Sequence, residues 1–232
     1  MFKPLSLQAK TVAVTGASGA LGSALIQKLL AEGARVIALT TAAEVAFDPA
    51  VEIWQWQLGQ EATLAPQLHQ VEILILNHGV NVHGDRSPAA IQKSLEVNAL
   101  SVWRWLELFL ATVNAAESEQ IREVWINTSE AEVGPAVSPL YEVSKRLIGE
   151  LITLRRLDSP CLIRKLILGP FKSQLNPIGI MTPDFVAGVI VRLAEWGFQD
   201  IIITINPLTY VAFPLKEWTT SLYFRWFSKK AP

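Results

Sequence analysis

The stretch TVAVTGASGALG, residues 11–22, constrains this chain more than any other. An uncharged, β-branched run from Thr11 to Thr15 passes into a turn with Gly16, Gly19 and Gly22 three residues apart. ALIQKLLAEG follows with helical spacing and a stop at Gly33. Glycines let the backbone approach a ligand closely, and a helix N-terminus offers free N–H groups and partial positive charge to a phosphate. Strand, turn and helix in this order form the setting in which such a turn binds a dinucleotide. Gly16, Ser18, Gly19, Ala20, Leu21 and Gly22 are therefore the first cofactor-binding candidates.

The alternation continues along the chain. ARVIAL (34–39), VEIWQW (51–56) and VEILILN (71–77) read as strands, the last apolar nearly throughout, as in a parallel sheet covered on both faces. A helix is predicted over about 88–115, a strand over EVWINTS (123–129), a helix over about 139–157 and a strand over CLIRKLIL (161–168). The helix PDFVAGVIVRLAEWG (183–197) and the strand DIIITI (200–205) close the series. Short connections between alternating strands and helices imply an α/β fold, a Rossmann-type doubly wound parallel sheet with helices on both faces. No break in composition marks a linker, so residues 1–205 read as one catalytic domain, followed by an apolar and basic tail, 206–232.

Half of the 232 residues are apolar and 18% are charged, which suits a well-buried core. The 20 Lys and Arg against 21 Asp and Glu are scattered except near the end, and this excludes the basic stripe of a nucleic-acid binder. The lone Cys161 cannot form an internal disulfide and fits a reducing compartment. MFKPLSLQAK lacks the apolar core of a signal peptide, and no run approaches the roughly 18 apolar residues of a spanning helix. The expected location is cytoplasmic, with association at the inner membrane surface as its extension.

Tyr141 and Lys145 stand four apart in YEVSK, on one face of a predicted helix. An ammonium near a phenol favours the phenolate and moves its pKa, ordinarily about 10, toward the working range. Alone, the pair fits an amphipathic surface helix better. Ser129, however, ends the preceding strand at the edge where such folds bind ligands, Asn98 is a polar residue on an apolar helical face, and NHG (77–79) closes the fourth strand beside the expected crevice.

This ordered set resembles the short-chain dehydrogenase/reductase family over roughly residues 9–205. The resemblance implies that Tyr141 is the general acid or base, and that Lys145 bonds the nicotinamide ribose and lowers the tyrosine pKa. It implies that Ser129 orients the substrate, with Thr128 as an alternative, and that Asn98 holds a water in the proton relay. Asn77, His78, Gly79 and Pro170 join the cofactor contacts, with Leu58 and Gln57, the latter where relatives carry an Asp for the adenine. The GxxGxxG spacing is commoner in extended members, whereas the chain length and the tetrad fit the shorter branch. At the end of the second strand Thr40 and Thr41 replace the carboxylate that selects NAD, which leans toward NADP, although no Arg or Lys stands there for the 2′-phosphate. His78, His83 and Asp85 match no common zinc spacing, and no metal is expected.

GPAVSPL (134–140) and FKSQLNPIGIM (171–181) are apolar and nearly uncharged, so with the resemblance they imply an NADP-dependent oxidoreductase acting on an apolar ketone or alcohol; the alternative is a non-catalytic NAD(P)-binding regulatory or scaffold protein of the same fold. The resemblance implies a homodimer or homotetramer through the helix bearing Trp103, Trp105, Leu106, Leu108, Phe109 and Leu110, side chains that monomer packing would also bury. In the tail, Trp218, Leu222, Arg225 and Trp226 follow helical spacing, interrupted by prolines, and Lys216 to Lys230 holds four basic residues against one acidic. Such a composition suits a peripheral membrane contact or packing against a neighbouring subunit.

Overall fold

The computed structural model describes residues 4–113 and 122–229. Seven parallel strands form one sheet: β1 (Thr11–Thr15), β2 (Arg35–Thr40), β3 (Glu52–Gln55), β4 (Ile73–Leu76), β5 (Glu123–Asn127), β6 (Leu162–Leu168) and β7 (Asp200–Ile203), in the order β3-β2-β1-β4-β5-β6-β7. The expected doubly wound architecture is therefore present. The period of two along each strand sorts side chains between two cores. Val12, Val14, Ile73 and Ile75 pack with α1 (Ala20–Ala31), while Ala13, Leu74 and Leu76 pack on the opposite face.

The helix predicted over 88–115 is three segments: α2 (Pro88–Leu95), one wide π turn over Glu96–Leu100, and α3 (Ser101–Ala111). Residues 114 and 115 of that prediction lie outside the described residues. Trp105, Leu106, Phe109 and Leu110 are buried within the monomer beneath the sheet, which leaves Trp103 and Leu108 partly covered. A 3₁₀ segment, Glu61–Gln70, which the sequence pattern does not reveal, packs on α3.

On the same face lies α4 (Pro139–Arg155), and α5 (Pro183–Glu195) packs against α1 on the other. The tail forms one helix, α6 (Thr209–Phe227), where prolines were expected to interrupt it. Pro214 is its sixth residue, so the missing N–H removes a single bond near the start.

What holds α6 is polar. Lys165, fully buried in β6, donates to Glu217 (2.6 Å), Thr153 (2.8 Å) and the Gly149 carbonyl (2.9 Å). Arg156 also reaches Glu217 (3.0 Å), and Lys216 pairs with Glu132 (3.0 Å) and Glu150 (2.9 Å). Phe213 packs its ring 5.5 Å from the Lys165 ammonium. Glu217→Ala strips a buried cation of its nearest anion, and a loss of about 3 kcal/mol is expected in urea unfolding followed by tryptophan fluorescence. Replacing Lys165 and Glu217 together with Met and Leu should restore most of it.

Candidate functional site

A cleft of about 770 Å³ opens at the carboxyl ends of the strands. Its floor begins where β1 and β4, sequence-distant neighbours, part company. Thr15 Oγ1 accepts from the Asn77 backbone N–H (2.9 Å) and lies 2.8 Å from His78 Nδ1. Gly16 adopts φ +62°, and a Cβ there would stand 2.9 Å from the His78 Cα, so only glycine fits the crossing. Gly16, Ser18, Gly19, Ala20 and Leu21 line the cleft at the start of α1, whose N-cap, Gly19, supplies no side-chain bond to the first-turn amides. Those amides are available to a phosphate.

Two expected cofactor contacts are corrected. Gly22 does not line the cleft; it lies under the turn, where a Cβ would come within 2.1 Å of the Gly16 carbonyl oxygen. Gln57 is exposed and also lies off the cleft, because the alternation that turns Trp56 inward turns Gln57 outward. Trp56 takes the inner position, and Leu58, Thr40 and Thr41 line the wall with it. Trp56 has the period-two spacing from Trp54 that marks it as inward, a signal present in the sequence.

His78 lines the cleft with its ring packed into the wall. Its ring meets Trp56 edge-on at 5.3 Å, and Trp56 meets Trp105 in the same way. Burial, aided by the Lys145 charge, lowers the His78 pKa to about 3, so the imidazole is neutral. Its Nε2 and the Trp56 Nε1 are buried with no partner among the described residues. With the uncapped amides, these nitrogens suit the polar groups of a dinucleotide, and the residues fit NAD(P).

Ser129, Tyr141 and Lys145 meet on the opposite wall with Asn77, Gly79 and Pro170. Gly169 precedes Pro170 because a Cβ would fall 2.4 Å from the Thr204 hydroxyl. Ser129 caps the turn Glu130–Glu132 by accepting from the Ala131 N–H (3.2 Å), and its hydroxyl donates to the Leu168 carbonyl (3.4 Å). The neighbouring Thr128 likewise donates back to the Leu166 carbonyl (3.3 Å). Lys145 donates to the Asn127 carbonyl (2.8 Å), and its nitrogen lies 5.6 Å from the Tyr141 ring centre.

The expectation that Lys145 lowers the tyrosine pKa is corrected for this arrangement. Burial outweighs the Ser129 hydrogen bond, Glu130 adds repulsion, and the Tyr141 pKa rises. Asn98 stands behind the wall rather than on it: its amide donates to the Val80 carbonyl (2.9 Å) and Ser144 (3.0 Å), and its oxygen accepts from the Val80 N–H (2.8 Å). Its side chain thus fixes the loop after β4.

The substrate walls are less apolar than expected. Asn81, Ser138, Gln174 and Asn176 line the cleft beside Val137, Leu175 and Ile178. Asn81 accepts from Ser138 (2.7 Å), a pair joined from segments 57 residues apart and invisible to a local reading.

Lys145 holds its place in the cleft wall at a cost to stability. Burial pushes its pKa down from about 10.5 to about 8, with Glu132 opposing. Below pH 8 both folded and unfolded chains hold the proton, and the fold carries the full cost of a buried ammonium. Between about 8 and 10.5 the folded chain releases it first, and stability climbs. Lys145→Met is expected to melt higher than the wild type below pH 8, with the advantage fading by pH 10.5, in thermal scans across pH.

Residues 12–147 match the NAD dependent epimerase/dehydratase family. The chain is 52% identical over 98% of its length to the monoglucosyldiacylglycerol epimerase of Synechocystis sp., and spans 57% of that protein. Among solved structures it resembles a short chain dehydrogenase from Burkholderia cenocepacia in complex with NADP (TM-score 0.76, 18% identity, covering 97% of this chain and 100% of that one). It also resembles the Thermoplasma acidophilum aldohexose dehydrogenase in ligand-free form (TM-score 0.70, 16% identity, covering 88% and 94%). At these identities the two structures bear on the fold alone.

Proposed function

The chain belongs to the NAD dependent epimerase/dehydratase family, and from that premise we propose that it is an NAD(P)-dependent epimerase of a sugar carried on a diacylglycerol lipid. The observation that carries this reading is the cleft itself. Tyr141, Ser129 and Lys145 share it with the uncharged hydrogen-bonding groups Asn81, Ser138, Gln174 and Asn176, and Val137 and Ile178 stand exposed at its lip. Amides and hydroxyls suit sugar hydroxyls, and an apolar lip suits acyl chains. The similarity to a monoglucosyldiacylglycerol epimerase supports the same substrate class. The apolar ketone or alcohol that the sequence suggested thus becomes a lipid whose reacting carbon is a sugar carbinol.

The chemistry supplied by a bound nicotinamide is reversible hydride acceptance, so an epimerisation leaves no net redox change. Tyr141 takes the hydroxyl proton as the carbinol becomes a ketone and returns it to the oxygen in the second half-reaction. Burial keeps the phenol protonated, the form that gives the proton back. The Ser129 hydroxyl opposes that burial and favours the phenolate, the form that takes the first proton. Ser129 would also hold the substrate oxygen through both half-reactions, while the sugar turns its other face toward the nicotinamide that the cleft would hold.

NADP is the proposed nucleotide. Thr40 and Thr41 line the cleft at the end of β2, and among the described lining residues no carboxylate stands there to repel a 2′-phosphate. A fluorescence titration should show tighter binding of NADPH than NADH; the reverse order would overturn this choice.

Incubation with monoglucosyldiacylglycerol and NADP should yield the epimeric glycolipid without accumulation of NADPH, read by NMR of the released sugar. Tyr141→Phe should slow this by at least about a hundredfold while NADPH still binds. A ketone formed in step with NADPH, with no epimer, would make the enzyme a dehydrogenase instead.

A further inference from the structure

Helices on a soluble domain bury their apolar side and show their polar side to water. In α6 the sides are exchanged. Thr209, Lys216 and Glu217 face inward with Phe213, whereas Val211 is 70% exposed, Leu215 59%, Trp218 63% and Trp226 71%. These four recur at helical spacing along one outer stripe. The ion pairs to Lys165, Arg156, Glu132 and Glu150 fix the helix with that stripe outward. A second apolar group lies at the cleft lip, where Val137, held at φ +54°, is 95% exposed and Ile178 89%. The two are connected through Thr204, which bonds Glu130 in the cleft wall and accepts from the Tyr210 hydroxyl in the first turn of α6 (3.2 Å).

We propose that the outer stripe of α6, with the lip of the cleft, docks this protein on the surface of a lipid bilayer carrying anionic headgroups. Charge selects the bilayer over a second copy of the chain. Glu217 is the sole acid in residues 206–229 and is turned inward, so the outward charges at the far end of α6 are Arg225 and Lys229. A twofold contact of α6 on α6 brings those cations to a helix with no outward carboxylate. A bilayer supplies anions for them and an interface for Trp218, Tyr223 and Trp226, side chains that settle at the headgroup level. Among the described residues no helix is long and apolar enough to cross a membrane, so the contact lies on the surface. The proposal deepens the reading of a lipid-linked substrate and rests on it for the role of the lip.

The test is sedimentation of the full chain with vesicles of phosphatidylcholine, alone or mixed with phosphatidylglycerol. The wild type is expected to pellet with the mixed vesicles, less so at high salt. The variant Leu215→Gln/Trp218→Gln/Trp226→Gln should bind them at least about tenfold more weakly, with its melting temperature and NADPH binding retained. Arg225→Glu/Lys229→Glu should lose the preference for phosphatidylglycerol. A wild type that stays in the supernatant, or a triple variant that pellets equally, overturns docking. So does a wild-type dimer in sedimentation velocity that the triple variant turns into a monomer without any vesicle binding. Turnover of monoglucosyldiacylglycerol in detergent micelles by a protein that ignores vesicles would sink the docking and leave the epimerase standing. Vesicle binding without turnover would support the docking and sink the substrate.

Discussion

Parallel strands leave an open crevice where their order reverses, and in this sheet the reversal falls between β1 and β4. From that constraint a chain of hydrogen bonds runs across the carboxyl edge. Thr15 at the end of β1 binds Asn77 after β4, and Asn127 at the end of β5 donates to the Asn77 side chain (3.0 Å). The Asn127 carbonyl accepts from Lys145 on α4. Each link depends on the strand register that precedes it, so a shift in the β1–β4 pairing would carry Lys145 away from the turn that holds Gly16. The cleft is thus a property of the sheet edge, with side chains from distant segments brought to one line.

Two glycines show why so little substitution is possible beneath that line. Gly16 lies against the His78 backbone and Gly22 against the Gly16 carbonyl, which stacks the helix start, the turn and the β4 loop in direct backbone contact. No side chain intervenes, and so the amides at the start of α1 can face the cleft. Gly22, though off the cleft, sets the position of the residues that line it.

The parts of this arrangement legible in the sequence are those with local causes. The run ILIL in β4 is apolar on both sides and buried throughout, and the glycine turn identifies its own strand and helix. Tyr141 and Lys145 share a helix face by spacing alone. What was illegible has distant partners. Arg164 and Lys165 are adjacent charges in a strand, yet both are buried, because Glu123 meets the first from 41 residues away and Glu217 the second from 52. Pro214 likewise looks like a break until the anchoring of its helix by Lys216 and Glu217 is taken into account. Gln57 stands outward because the alternation that buries Trp54 and Trp56 overrides the position that the resemblance assigns to it.

The buried charges also explain why the cleft wall and α6 form one piece. Ser129 opens the turn that ends at Glu132, and Glu132 is buried against Gly149, where a Cβ would come within 2.2 Å of its carboxylate. Lys216 of α6 reaches the same carboxylate, and Thr204, at the entry to α6, reaches Glu130 within the turn. Three residues of one short turn are thus bound to the cleft on one side and to α6 on the other. An isolated ion pair at the surface would contribute little to holding such a joint. Removed from water, the Lys165–Glu217–Glu132–Lys216 group is costly to separate, since each break leaves a buried charge behind. The orientation of the Ser129 hydroxyl and the outward set of the α6 tryptophans therefore rest on the same few charges.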